Sequence, residues 1–306
     1  MYIFQKRGIA LLITLLFVIS ITVSIGIGLK QVNSASKEVD KERFMLQTRI
    51  AISDILKILK NAPEIDYIVK NNSPEAFYAF LAQSSFIPFE SSGVRMLVQM
   101  KSARSKFNPN NIYDSNKKVN EDRLESLKAY VSNYEINPTF IDIMLDIMGG
   151  IKEDLVYNSD IFYEKPQLFR DMIVSLEHFS EIKDFYELTY HENNLKNVNF
   201  DKLFYFSDNK DTSIDLNYAT AEVWEMILGV QRYRAEEIVQ GAIPYVKLED
   251  IELQDDEKNM LSRFKTSLFE PYIEVKIEMV QDDYSAIVKF EYDLRQKKGI
   301  NFSYDI

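Results

Sequence analysis

The spacing of apolar residues changes several times along this chain, and each change marks a different kind of element. Residues 9–29 contain no charged side chain; as a helix they would span about 31 Å, enough to cross the hydrocarbon core of a bilayer. Polar residues return over 30–62. There Met45, Ile52, Ile55, Leu56 and Leu59 fall near one helical face, with Lys41, Arg43, Lys57 and Lys60 off it. Asn61-Ala62-Pro63 stops this helix, because the proline ring disfavours helical backbone at the residue before it. From Gly93 to Lys101 the period drops to two, with Val94, Met96, Val98 and Met100 on one face of a predicted strand. The alternation returns after residue 270. Ile273, Val275, Ile277 and Met279 face one way, Tyr284 to Leu294 repeat the pattern, and Ile300, Phe302 and Tyr304 end it. Gln281-Asp282-Asp283 and Lys297-Lys298-Gly299 are the turns, so this part reads as an antiparallel meander.

Between these β segments the spacing is helical. Leu124, Leu127, Val131 and Tyr134 step by three and four. Phe140, Ile141, Met144, Leu145 and Met148 follow, between the start signal Asn137-Pro138 and the stop Gly149-Gly150. Phe169, Met172, Ile173 and Leu176 form another stripe, whereas Asp184 to Phe206 fits neither period. The expected architecture is α+β: a long amino-terminal helix covers the apolar face of a small antiparallel sheet, which a large all-helical insertion interrupts. The expected divisions are 1–8 (leader), 9–29 (membrane part of the helix) and 30–62 (its continuation), then 63–115 (first part of the β domain), 116–269 (insertion) and 270–306 (meander).

Charge narrows the function. The chain carries a net −11, and Lys6 and Arg7, just before the apolar run, are expected to stay on the cytoplasmic side. The remainder then holds about −13, which repels nucleic acid. The chain has no cysteine, which excludes disulfides, thiolate zinc sites and thiol catalysis. Its two histidines, His178 and His191, read as surface or half-buried polar residues. No P-loop, GxSxG elbow, dinucleotide fingerprint or HExxH is present, so no enzyme activity is expected.

The amino terminus is more specific. Lys6-Arg7-Gly8 runs directly into IALLITLLF. This resembles the type IV prepilin signal, which implies cutting by prepilin peptidase between Gly8 and Ile9 and methylation of Ile9. Most pilins then have Glu at the fifth mature position, where this chain has Ile13. A carboxylate inside a membrane persists only when something pairs it, so a subunit with Ile13 lacks a tether to one ahead of it. Within pilin-like families that departure is typical of the K-type minor pseudopilin. A plain signal anchor, or a secretory signal cut near Ser34-Ala35-Ser36, remains an alternative.

Two further stretches carry the likeness. Ser105-Lys106-Phe107-Asn108-Pro109-Asn110-Asn111 resembles the SRFNLN-type junction of K-type pseudopilins, with Pro109 in place of an apolar residue. Such an Asn-rich run suits side-chain-to-backbone bonds that turn the chain. Ile214 to Ala221 resembles the same family's iNvNtA signature through Asp215, Asn217 and Thr220. Asn217 or Thr220 is expected to cap a helix whose buried stripe is Val223, Trp224, Ile227 and Leu228. A second short helix, Arg234 to Gln240, follows Gly229. This pair also looks like a DNA-binding helix-hairpin-helix, but its hairpin Gly229-Val230-Gln231 has one glycine, and Glu222, Glu225, Glu236 and Glu237 flank it. Leu145-Asp146, Glu153-Asp154 and Tyr157 match an acidic family region only loosely. Some members hold calcium there; carried over, its ligands would be Asp146, Glu153 and Asp154. Asp208, Asp211 and Asp215, and Asp255, Asp256 and Glu257, are equally acidic and read as solvated loops.

Taken in order along the whole chain, these segments resemble the general secretion pathway protein K family, the K-type minor pseudopilins of type II secretion. The resemblance implies a single-pass protein of the bacterial inner membrane with its carboxyl-terminal domain in the periplasm. It implies a structural role at the tip of the pseudopilus, initiating or capping assembly with the I- and J-type minor pseudopilins and the major pseudopilin. Contact with the secretin or with secreted substrates is a further implication; nucleic acid is not. The alternatives are a minor pilin of a type IV pilus or competence system, and a membrane-anchored DNA receptor.

Overall fold

The computed structural model describes residues 37–91, 93–114, 116–152, 155–241 and 244–305. The apolar run 9–29, with Gly8, Ile9 and Ile13, lies outside them. Among the described residues no helix is long and apolar enough to cross a membrane.

Helix α1 covers 37–61. Its buried side chains are Phe44, Thr48, Ile52, Ile55 and Leu59, one face at steps of three and four. Phe44, not Met45, is the deep residue near its start; Met45 and Leu56 are half-buried. The helix ends at Asn61 as expected, but Pro63 at once opens another. A proline at the first helical position gives up an N–H that had no partner anyway. Helix α2 (Pro63–Asn71) and helix α3 (Pro74–Ser84) follow, the second capped by Ser73 Oγ, which accepts from the Ala76 N–H at 3.1 Å.

Strands β1 (Ile87–Ser91) and β2 (Val94–Ser102) come next; β3 (Ile214–Asp215) and β4 (Thr266–Ser267) lie within the insertion; β5 (Tyr272–Gln281), β6 (Tyr284–Asp293) and β7 (Lys298–Asp305) end the chain. The long strands form one antiparallel sheet in the order β1-β2-β5-β6-β7. Strand β1 escaped the sequence reading because Pro88 weakens its pattern, and proline is tolerated there because β1 is an edge. The turn between β6 and β7 is Leu294–Lys297, earlier than expected. Asp293 Oδ1 caps it by accepting from the N–H groups of Arg295 and Gln296.

Helix α1 runs alongside β6. The Tyr284 hydroxyl donates to the Lys37 carbonyl near one end of the helix, and Lys297 Nζ to the Lys60 carbonyl near the other. Ser102 pairs with Ile273, and Ile273 with Tyr292. The insertion therefore leaves the sheet at the end beside the last turn of α1, far from residue 37.

Two apolar cores result. One joins α1, α2 and α3 to the inner sheet face, including Phe44, Ile52, Phe77, Val98, Ile277 and Phe290. The other fills the insertion, whose helices are α4 (Glu121–Asn133), α5 (Thr139–Gly149), α6 (Ile161–Glu164), α7 (Leu176–Tyr190), α8 (Phe200–Leu203), α9 (Ala221–Leu228), α10 (Arg232–Val239) and α11 (Asp255–Leu261). Phe107, Ile112 and Tyr113 already belong to this second core.

The insertion is not all-helical. Ile214 and Asp215 pair in parallel with Thr266 and Ser267, and Phe107 bridges Phe204. The stripe Phe169 to Leu176 is not a helix until Leu176 itself, the first residue of α7. Pro166 follows the short α6, and Asp171 sits at φ 128, where no helix can pass. Its N–H instead donates to the Ile147 carbonyl at 2.9 Å. Helix α10 begins at Arg232, two residues earlier than the periodicity suggested.

Candidate functional site

Chain reversal without a regular ladder needs side chains that replace backbone partners. The Asn-rich run after β2 supplies them. Asn108 Nδ2 donates to the carbonyls of Ser207 and Asn209, both at 3.1 Å, and its Oδ1 accepts from the Asn110 N–H. Asn110 makes a two-way bridge to Ile173, its Nδ2 donating to the carbonyl and its Oδ1 accepting the N–H, each at 2.9 Å. Asn111 Nδ2 donates to the Thr212 carbonyl at 2.8 Å. All three side chains are buried. Phe107 fills the space beneath them, its ring edge-on to Phe264 at 5.9 Å.

The second motif meets the first. The Asp215 N–H donates to the Arg104 carbonyl at 2.9 Å, and the Thr220 N–H to the Ser105 carbonyl at 3.2 Å. Thr220 is the helix cap, its hydroxyl accepting from the Val223 N–H while donating to the Lys202 carbonyl. Asn217 does not cap. Its Nδ2 donates to the carbonyls of Tyr245 at 3.0 Å and Leu268 at 2.7 Å, and its Oδ1 accepts the Tyr245 N–H at 2.6 Å. Asp215 is not solvated but wholly buried, accepting from the N–H groups of Asn217 and Glu270. Burial pushes its carboxyl up to about 7 against the pull of those two donors.

One residue at this junction lay outside the sequence reading. Arg104 is 4% exposed, paired with Glu291 of β6 at 2.9 Å and stacked over the Tyr272 ring at 4.2 Å. It ties the insertion's first residues to the sheet. A single arginine after a strand gives no sequence signal of burial. Phe77 of α3 makes the matching contact on the other side, edge-on to Tyr218 and Phe269.

The other candidates separate. Among the described residues no group of three His, Asp or Glu could hold a metal ion. Asp146 is buried, and its two oxygens accept from Lys152 Nζ, from the backbone and side chain of Asn158, and from the backbone and side chain of Ser159. Glu153 and Asp154 lie outside the described residues. A carboxylate already saturated by N–H and O–H donors does not fit a calcium ligand. Asp211 pairs with Lys265, Asp255 with Lys258, and buried Glu257 with Arg234; Asp208 and Asp256 are exposed. The helical hairpin offers no cation to a phosphate: Arg232 is held by Glu222 at 3.0 Å and Glu236 at 2.8 Å, and Arg234 by Glu237 and Glu257. His178 is buried rather than half-buried, its Nδ1 accepting from the Val174 N–H and its basicity lowered by burial. His191 ends α7 in the left-handed conformation.

The residues singled out by the two motifs thus form one polar lock where a helical domain is set into an antiparallel sheet covered by a long helix. That plan is a pseudopilin-like fold. A chain of the GspK-GspI-GspJ complex from the enterotoxigenic Escherichia coli type 2 secretion system matches it with a TM-score of 0.57, over 87% of this chain and 99% of that one, at 11% identity. No family model and no curated protein matches the sequence.

Proposed function

We propose that this chain is a K-type minor pseudopilin of a type II secretion system, placed at the tip of the periplasmic pseudopilus. The observation that carries the reading is the position of the insertion. It stands on the sheet end farthest from residue 37, so with residues 9–29 in the inner membrane it crowns the subunit on the side away from the bilayer. A crown there leaves little room for another subunit ahead, and Ile13 offers no carboxylate to engage one. The likeness to a chain of a three-protein complex supports I- and J-type partners. Ile50 and Ile58 of α1 are exposed and line one groove with Phe89 of the edge strand β1, apolar surface of the kind partner proteins cover. The reading assigns the protein no catalytic step; its work is steric. The major pseudopilin below it, prepilin peptidase and the secretin or exported substrates are the remaining partners it implies.

Mass spectrometry of the membrane form tests it first. The expected terminus is N-methylated Ile9, and Gly8→Ala should leave the leader uncut. Normal processing of Gly8→Ala would remove the leader from the argument. Labelled pseudopili should show the protein at one end; copies spaced along the shaft would overturn the tip assignment.

A further inference from the structure

We propose that Lys152 is a built-in cation that closes the turn after α5 over Asp146, so that the insertion holds this turn without a divalent ion. Asp146 has no exposed surface. Oδ1 accepts from Lys152 Nζ at 3.3 Å and from Asn158 N and Nδ2, both at 3.0 Å; Oδ2 accepts from Ser159 N and Oγ, both at 2.8 Å. An ionised carboxylate has about four lone-pair positions, so this one is full. A calcium ion needs about six to eight oxygen ligands, whereas the groups converging here are N–H, O–H and ammonium donors aimed at the carboxylate. The same contacts do what an ion would do elsewhere: they draw Lys152, Asn158 and Ser159 back onto the end of α5.

The ammonium is itself positioned. It lies 5.1 Å from the centre of the Tyr157 ring, whose negative face favours a cation. That ring is fixed in turn: its hydroxyl accepts from the Lys152 N–H at 3.3 Å and from Arg170 Nη1 at 3.2 Å. Only a third of the Lys152 side chain is exposed, so its charge is partly shielded from competing salt. The geometry is independent of where in the secretion machinery the protein sits.

The full chain in detergent provides the test. Its melting temperature should be the same in excess calcium and in EGTA. Lys152→Met should lower it by about 3 °C and speed amide exchange at Asn158 and Ser159 by about tenfold, while Lys152→Arg should keep both near the original. A clear rise in melting temperature with calcium, one calcium bound per chain by isothermal titration, or a Lys152→Met protein indistinguishable from the original in both readouts would each overturn the proposal.

Discussion

Replacing Asn217 by alanine tests the lock at the insertion's exit. The side chain is 5% exposed and makes three hydrogen bonds to the backbone of Tyr245 and Leu268. Alanine removes all three partners and admits no group in their place, leaving one N–H and two carbonyls stranded in the interior. Each lost bond is worth about 1 kcal/mol net, and stranded buried groups add to it, so the loss should total about 3–5 kcal/mol. Trp224 is the chain's one tryptophan and is buried in α9, so its fluorescence reports unfolding of the insertion directly. With a urea slope of about 2 kcal/mol/M, the midpoint should fall by roughly 1.5–2.5 M. Asn217→Asp keeps the acceptor but turns a carboxylate toward two carbonyls; at neutral pH it should cost at least as much. A midpoint shift of less than about 0.5 M for the alanine variant, at unchanged slope, would refute the view that this side chain holds the junction.

Asp215 should make stability depend on pH. Its folded-state pKa near 7 lies above the ordinary carboxylate value, so the native state binds the extra proton, and the contribution present in acid is lost as pH rises from about 4 to 7, at roughly 1.4 kcal/mol per pH unit for one proton. Chemical denaturation across that window should show the slope, and Asp215→Asn should flatten it. Arg104→Met strands Glu291 in a largely buried position and should cost about 3–5 kcal/mol by thermal unfolding, with Glu291→Leu in the same chain recovering most of it. No recovery in the double variant would mean that the ring contact with Tyr272, not the ion pair, is what matters.

The strands β2, β5 and β6 were readable because each buries one face, and burial on one face writes itself as alternation. Helices α2 and α3 were not: Pro63 signals the stop of α1 yet stands at the first position of α2, and α3 likewise opens on a proline, Pro74. The stripe Phe169 to Leu176 misled for the opposite reason. Ile173 and Leu168 are buried through a loop pinned by Asn110, and buried loop residues can imitate helical spacing by chance. The two motifs were visible as residue types, but their meeting was not: Arg104 with Asp215, and Ser105 with Thr220, join positions more than a hundred residues apart. The closure of Asp146 by Lys152, Asn158 and Ser159 was hidden as well, since lysine, asparagine and serine in a turn are ordinary.

Ser102 and Ile273 are neighbours in the ladder, yet roughly 170 residues separate them along the chain, a loop whose closure costs about 4–5 kcal/mol in entropy if the intervening segment is slack. Helices built from local contacts form sooner than pairings between distant strands. The order this predicts is that the insertion condenses first on its own core and brings its two ends side by side before β2 and β5 pair; amide protection appearing in β2 and β5 ahead of α4 and α9 during refolding would refute it. On that order the inserted domain would be the scaffold on which the sheet that carries it is completed.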